Sequence, residues 1–347
     1  MAECYSINQY EQAAHLLPIR FQRIALHLPD WQKEQAEELR LRAGHPMTVL
    51  LPRGEQSLGP EALVTQGDLE QLCDTVTGYS RYTAAETMSR GYITAKGGFR
   101  IGLCGTVVLQ EGRSINLRNL SSACIRIARE IPGLADGLVD RLFQNGRYCS
   151  TLIIAPPGLG KTTLLRDLVR CLSDGTDSLP AHRVSLVDER GEIAASVGGY
   201  PQNDVGFCTD ILNGISKKEG ISMAVRTLSP HLIFCDEIGR ESEVAPIVSA
   251  MASGVMMAAT AHGRSFDDLC RKPAIARLLQ MGMCSAVAVL DTEENVGTIK
   301  QWLGRGEIEN EMDRFFAGSD GLRGDWAMGV ISDSSTRTPA GVIHVAG

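Results

Sequence analysis

Ala155-Pro156-Pro157-Gly158-Leu159-Gly160-Lys161-Thr162-Thr163 is the stretch on which the reading of this 347-residue chain turns. It follows an apolar run, 150–155, that predicts a strand, and it leads into 162–172, which predicts a helix. Glycines at 158 and 160 let the backbone curl so that successive N–H groups face one point. The following helix presents the positive end of its dipole to the same point. Lys161 adds a cation that can bridge β- and γ-phosphates, and Thr162 adds a hydroxyl able to ligate Mg²⁺. Strand, glycine loop, lysine, hydroxyl and helix in this order describe a cradle for a nucleotide polyphosphate, with Ala155 where the usual pattern begins with glycine. Pro157, Gly158, Leu159, Gly160, Lys161, Thr162 and Thr163 are the candidate phosphate contacts. Lys161 is also the only lysine between positions 97 and 216.

A triphosphate site needs Mg²⁺ and a group that orients water. Leu232-Ile233-Phe234-Cys235-Asp236-Glu237 supplies both in one motif: four apolar residues of a buried strand, then two carboxylates at its C-terminal end, where open parallel sheets bind ligands. Asp236 is assigned to the Mg²⁺ shell together with Thr162, and Glu237 to the attacking water. A second apolar strand ends on Val187-Asp188-Glu189-Arg190-Gly191-Glu192 and makes Glu189 a further catalytic candidate. A third ends on Ala259-Thr260-Ala261-His262-Gly263, where Thr260 and His262 are placed to sense a γ-phosphate.

Working outward, short apolar runs at 150–155, 184–187, 232–235, 255–260 and 286–290 alternate with helical segments. Fully apolar strands between helices predict an α/β domain whose mostly parallel sheet is covered on both faces, spanning 146–315. Residues 1–145 read as a smaller α+β domain. It has a helix over 12–28, strand-forming runs within 37–51, a helix over 68–77, and glycine-punctuated strands at 91–94, 99–108 and 121–128. A helix over 133–143 leads to a boundary at Asn145-Gly146. Residues 316–347, rich in Gly, Ser and Asp near their start, are expected to be a weakly structured tail.

The formal net charge of −7 argues against a general nucleic-acid coat. The charge is uneven, however. Residues 81–129 carry Arg81, Arg90, Lys96, Arg100, Arg113, Arg118, Arg126 and Arg129 against Glu86 and Glu111 only, a local basic strip. Ten cysteines are scattered without CxxC spacing, which fits free thiols in a reducing compartment rather than disulfides or zinc. The N-terminus lacks the pattern of a secretory signal. Residues 244–261 are uncharged, but Pro246, Gly254 and many Ala and Ser predict a buried helix and strand rather than a membrane span.

The order of these motifs resembles the Walker A, Asp box, Walker B and His box of the type II/IV secretion ATPase superfamily. The closer resemblance, over about 35–305, is to the stage III sporulation protein AA family. It is carried by Gly91-Tyr-Ile-Thr, Gly97-Gly-Phe-Arg-Ile-Gly-Leu-Cys-Gly, Ile125-Arg-Ile-Ala-Arg-Glu-Ile, Pro156-Pro-Gly-Leu-Gly-Lys-Thr-Thr-Leu-Leu-Arg-Asp and Val187-Asp-Glu-Arg-Gly-Glu-Ile. The resemblance implies a RecA-like P-loop ATPase domain preceded by the smaller α+β domain. It also implies ATP with Mg²⁺ and a cytoplasmic, ring-forming homo-oligomer, a hexamer. Such a ring would sit peripherally at the cytosolic face of a membrane complex and energise a secretion-like channel from mother cell to forespore. Its partners would be membrane proteins of that channel, with no stable nucleic-acid binding expected. Basic residues of the N-terminal domain reach the phosphates in such enzymes, which makes Arg100, Arg126 and Arg129 candidates and leaves open which of them reaches. Asp-Glu at 236–237, where general secretion ATPases have Gly-Glu, points to the sporulation branch.

Two other classes compete. A RecA-like motor acting on nucleic acid would use the basic strip on DNA phosphates. A nucleotide-binding scaffold without turnover would have no need of the water-orienting Glu237.

Overall fold

The computed structural model describes all residues except 1, 60–62, 79–84, 90, 111, 128–130, 145–146, 177–178, 291–296 and 318–347. In the first half, helices α1 (Ala2–Ala14), α2 (Ile19–Leu26) and α3 (Asp30–Gln35) precede strands β1 (Glu38–Arg42), β2 (Thr48–Leu51) and β3 (Gly54–Ser57). Then come α4 (Gln66–Val76), α5 (Ala85–Ser89), β4 (Tyr92–Thr94), β5 (Arg100–Gln110), β6 (Arg113–Arg126) and α6 (Asp136–Leu142). The six strands form one sheet in the order β3-β2-β1-β6-β5-β4, antiparallel throughout. One face takes the helices, and Tyr10, Phe21, Leu39, Leu69, Phe99 and Ile125 meet in its core.

A two-stranded ribbon, β7 (Phe143–Gln144) with β8 (Arg147–Tyr148), leads into the second half. There β9 (Thr151–Ala155), α7 (Lys161–Asp174), β10 (Val184–Asp188), β11 (Thr209–Asn213), α8 (Lys217–Thr227) and β12 (Leu232–Cys235) follow in order. The chain continues with α9 (Glu241–Ala252), β13 (Met256–His262), α10 (Phe266–Cys270), α11 (Pro273–Gln280), β14 (Ala286–Leu290), β15 (Ile299–Gly304) and α12 (Arg305–Ala317). The seven-stranded sheet runs β11-β10-β12-β13-β9-β14-β15, parallel except for β15 against β14. Every residue of β9, β10, β12 and β14 is buried, because helices cover both faces. Separate apolar clusters fill the two sides of the sheet. The uncharged stretch 244–261 is divided between α9 and β13, and among the described residues no helix is long and apolar enough to cross a membrane.

Three sequence expectations change. The helix expected over 12–28 is two helices, because Pro18 cannot donate an N–H and stands instead as the N-cap of α2. Strand β11 carries no apolar signature, since it is an edge strand with Asp210 and Asn213 exposed. Residues 299–317, to which the sequence assigned no element, hold β15 and α12, with Leu303, Ile308 and Met312 buried. Helix α12 runs through Ala317, so the expected start of the tail at 316 falls inside it, and 318–347 lie outside the described residues.

Candidate functional site

β9, β10, β12 and β13 are adjacent and parallel, so their C-terminal ends open on one edge. The glycine loop leaves β9 there. Gly158 and Gly160 stand at φ +83° and +78°, the left-handed region that favours glycine, and Gly160 directly precedes α7. Lys161 opens α7 and is buried. Its Nζ donates to the carbonyls of Ala155 and Pro156, both at 2.9 Å, and lies 3.2 Å from His262 Nδ1. Burial lowers the Lys161 pKa from its ordinary value, opposed by the nearby carboxylates of Asp236 and Glu237.

Thr162 Oγ1 donates to Asp236 Oδ2 at 2.8 Å, and Thr260 Oγ1 donates to the other oxygen, Oδ1. The pairing of a hydroxyl and a carboxylate beside the phosphate loop is a hard oxygen donor set that fits Mg²⁺. The next residue, Glu237, adopts φ +50°, uncommon for a side chain other than glycine, asparagine or aspartate. Two bonds from β12 to β13 hold that turn: Glu237 N–H to Thr260 Oγ1 and Ile238 N–H to the Thr260 carbonyl, both 2.8 Å. The Glu237 carboxylate is thereby aimed between His262 Nε2, 2.9 Å from Oε1, and Arg190 Nη1, 2.6 Å from Oε2.

Glu189 points elsewhere. Its Oε2 meets Lys217 Nζ at 2.5 Å and its Oε1 meets Arg240 at 3.4 Å, away from the phosphate loop. Burial opposes its ionisation, but Lys217 and two arginines hold its pKa below the ordinary value. Asp188 caps the same turn from inside. Its buried carboxylate accepts the N–H groups of Glu192, Ile193 and Ala194 at 3.0, 3.1 and 2.9 Å. Arg166 adds bonds to the carbonyls of Ile193 and Glu192.

The antiparallel sheet roofs this edge. The turn Gly97-Gly98 sits on the segment 195–203: Gly97 N–H donates to Gln202 Oε1 at 2.9 Å, and at Gly98 a Cβ would stand 2.7 Å from Asn203 Oδ1. Arg100 stacks on Tyr92, 4.0 Å from the ring centre, and pairs with Glu192. Burial pushes the Glu192 pKa up, against the pull of Arg100. Arg126 lies 3.4 Å from Glu38. A cavity of about 730 Å³ remains between the sheets. It is lined by the glycine loop, Lys161, Thr162, Glu237 and His262 on one side and by Arg100 and Arg126 on the other. Arg129 lies outside the described residues.

Sequence reading thus pointed at Lys161, Thr162, Asp236, Glu237 and His262, and these come together. It pointed also at Glu189, which does not join them. It missed Arg190 and Glu192 as cavity residues. Glu192 lies in the acidic stretch 187–192 that the sequence singles out, but nothing in the sequence pairs Arg190 with Glu237.

The fold is that of the RecA-like secretion ATPases. It is similar to the Legionella pneumophila ATPase DotB, with a TM-score of 0.57 at 14% identity over 87% of this chain and 88% of that one. It is also similar to the pilus retraction motor PilT with bound ADP, with a TM-score of 0.55 at 16% identity over 81% and 84%. The chain belongs to the sporulation stage III, protein AA family, whose profile matches residues 7–308. Stage III sporulation protein AA of Bacillus subtilis (strain 168) is 36% identical over 84% of this chain and 94% of its own length. Protein SEEDLING PLASTID DEVELOPMENT 1 of Arabidopsis thaliana is 31% identical over 52% of this chain and 25% of its own.

Proposed function

We propose that this chain is an ATPase that binds ATP with Mg²⁺ in the cavity between its two sheets and hydrolyses it. The observation that carries this reading is the convergence of Lys161, Thr162, Asp236 and Glu237 on one strand edge. Lys161 would neutralise β- and γ-phosphate oxygens, exchanging its two backbone carbonyls for stronger charge-assisted bonds. Thr162 and Asp236 would hold the Mg²⁺, which supplies charge neutralisation across the phosphates when bound. Glu237 would orient water and take its proton, with His262 fixing the carboxylate. Arg100 and Arg126 would reach the phosphates from the roof, and Glu189 would act by anchoring the turn that bears Arg190.

Family membership and fold together support a further step. Copies of the chain would form a ring, a hexamer, docked peripherally on the cytosolic face of a membrane complex, with ATP turnover energising a secretion-like channel during sporulation. Residues 1–145 would then be the unit that moves over 146–315 during the cycle. The competing nucleic-acid motor is less well supported, because Arg100 and Arg126 of the basic strip line the cavity that holds Lys161 and Thr162.

ATP binding and turnover of the wild type, Lys161→Ala and Glu237→Gln test the reading, with oligomer mass measured alongside. Lys161→Ala is expected to weaken ATP binding by about 10²-fold. Glu237→Gln is expected to bind ATP and turn it over at least about 10²-fold more slowly. Undiminished turnover in Glu237→Gln removes the base assignment.

A further inference from the structure

We infer that Arg190 is the group by which this site tells a nucleoside triphosphate from a diphosphate, its guanidinium exchanging the Glu237 carboxylate for the γ-phosphate. The inference rests on the reading of the cavity as an ATP site and assigns a residue that this reading leaves without a role in binding.

The turn that bears Arg190 is held at 192–194, while its side chain is partly open to solvent. Asp188 and Arg166 hold the turn through five hydrogen bonds to 192–194, whereas the Arg190 side chain is 53% exposed. Arg190 lines the same cavity as Gly158, Lys161 and Thr162. Of the other arginines there, Arg100 pairs with Glu192, Arg126 lies 3.4 Å from Glu38 and Arg166 bonds to backbone carbonyls. Arg190 is committed to the proposed base, 2.6 Å from Oε2, while His262 takes Oε1 at 2.9 Å. Each Glu237 oxygen thus has a partner, and the guanidinium stands against Oε2 in the place a water would take.

A γ-phosphate changes that balance. An ion pair as exposed as this one is worth at most about fivefold in an equilibrium. A forked guanidinium–phosphate contact in a partly enclosed site is worth about 10- to 100-fold. The phosphate therefore wins the guanidinium, and Glu237 Oε2 is released to the attacking water. The water oxygen then bonds to the γ-phosphorus as the bond from that phosphorus to the β,γ-bridging oxygen breaks. Its proton passes to Glu237, leaving nucleoside diphosphate and inorganic phosphate. A diphosphate offers Arg190 no partner, so the guanidinium returns to Glu237 and the base is again occupied. Arg190 thus couples triphosphate recognition to exposure of the base.

The test compares the full chain with Arg190→Ala and Arg190→Lys, measuring equilibrium binding of Mg²⁺-ADP and of a non-hydrolysable Mg²⁺-ATP analogue, with turnover and thermal melting alongside. In Arg190→Ala the analogue is expected to bind about tenfold more weakly while ADP affinity changes by less than about twofold. Arg190→Lys, which keeps the charge without the fork, is expected to fall between, and it carries the test if the alanine variant does not fold. An analogue-to-ADP affinity ratio equal to that of the wild type in both variants overturns the inference while leaving the ATP reading intact. A wild-type chain that binds neither nucleotide overturns both.

Discussion

Lys161 Nζ lies 3.2 Å from His262 Nδ1, which joins the start of α7 to the end of β13 across the floor of the cavity. An ammonium has protons only to give, so with Lys161 charged the imidazole accepts at Nδ1 and carries its proton on Nε2. That proton points at Glu237 Oε1. The tautomer of His262 is therefore set by the phosphate-loop lysine, and the proposed base is held by a chain that starts at the proposed phosphate ligand.

The hydroxyl of Thr162 is one of the two groups that press on Asp236. In Thr162→Val the shape is kept and the oxygen is lost. Such a variant is expected to need about tenfold more Mg²⁺ for half-maximal ATP binding, because one hard ligand of the proposed metal set is gone. A Mg²⁺ titration followed with a fluorescent nucleotide reads this directly. A curve that overlays the wild type would remove Thr162 from the metal shell.

Asp188 is buried and accepts three backbone N–H groups of the turn 192–194. Burial raises its pKa from the ordinary carboxylate value even though those bonds favour the charged form. Asp188→Ala strips all three donors of a buried partner. The expected loss is about 2–4 kcal/mol of unfolding free energy, measured by urea titration. Because the turn bears Arg190 and Glu192, nucleotide affinity should fall in the same variant at temperatures where it remains folded.

Contact between the two sheets depends on Gly98. A Cβ there meets Asn203 Oδ1 at 2.7 Å with φ at +80°, and Asn203 cannot retreat cheaply because its Nδ2 donates to the Ile193 carbonyl at 2.7 Å. Gly98→Ala is expected to cost about 1–2 kcal/mol and to loosen the Arg100–Glu192 pair beside it. Gly102→Ala, on the same strand pair with no atom within 4 Å of the added Cβ, should be close to neutral. Equal melting temperatures for the two variants would show that the turn is not a fixed point of the interface.

Glu55 supplies a dependence on pH away from the cavity. Hydrogen bonds from Arg42, then from Thr48, lower its carboxyl from 4.5 to about 2. A folded pKa below the unfolded one adds stability above about pH 4.5, which is lost as pH falls toward 2. The pair is near the surface, so the contribution is about 0.5–1 kcal/mol. Glu55→Gln should be less stable than the wild type by that amount at pH 7, and the gap should shrink between pH 4.5 and 2. A gap that stays constant over that range assigns the effect to shape rather than charge.

The parallel sheet was legible because its strands are apolar on both faces and short, as in Leu232–Cys235 and Ala286–Leu290. Edge strand β11 and the antiparallel β15 were not, since one exposed face dilutes the apolar signal until it resembles a loop. Asp236, Glu237 and His262 were legible because each lies at or next to the end of such a strand, and Lys161 and Thr162 because they follow the glycine loop that leaves β9 at the same edge. Glu189 shared that property and still turned away, because Lys217 and Arg240 offered its carboxylate two cations on the far side.

The sequence by itself determined which strands carry chemistry and that their ends meet, since an apolar parallel strand has one buried course and one open end. What only the tertiary structure decided is the direction of individual side chains in the turns beyond those ends. The left-handed backbone at Glu237, the grip of Asp188 on 192–194 and the reach of Arg190 each depend on hydrogen bonds between residues distant in sequence. A turn side chain takes its direction from whichever partner the fold brings within reach, and that partner is not written in the local pattern.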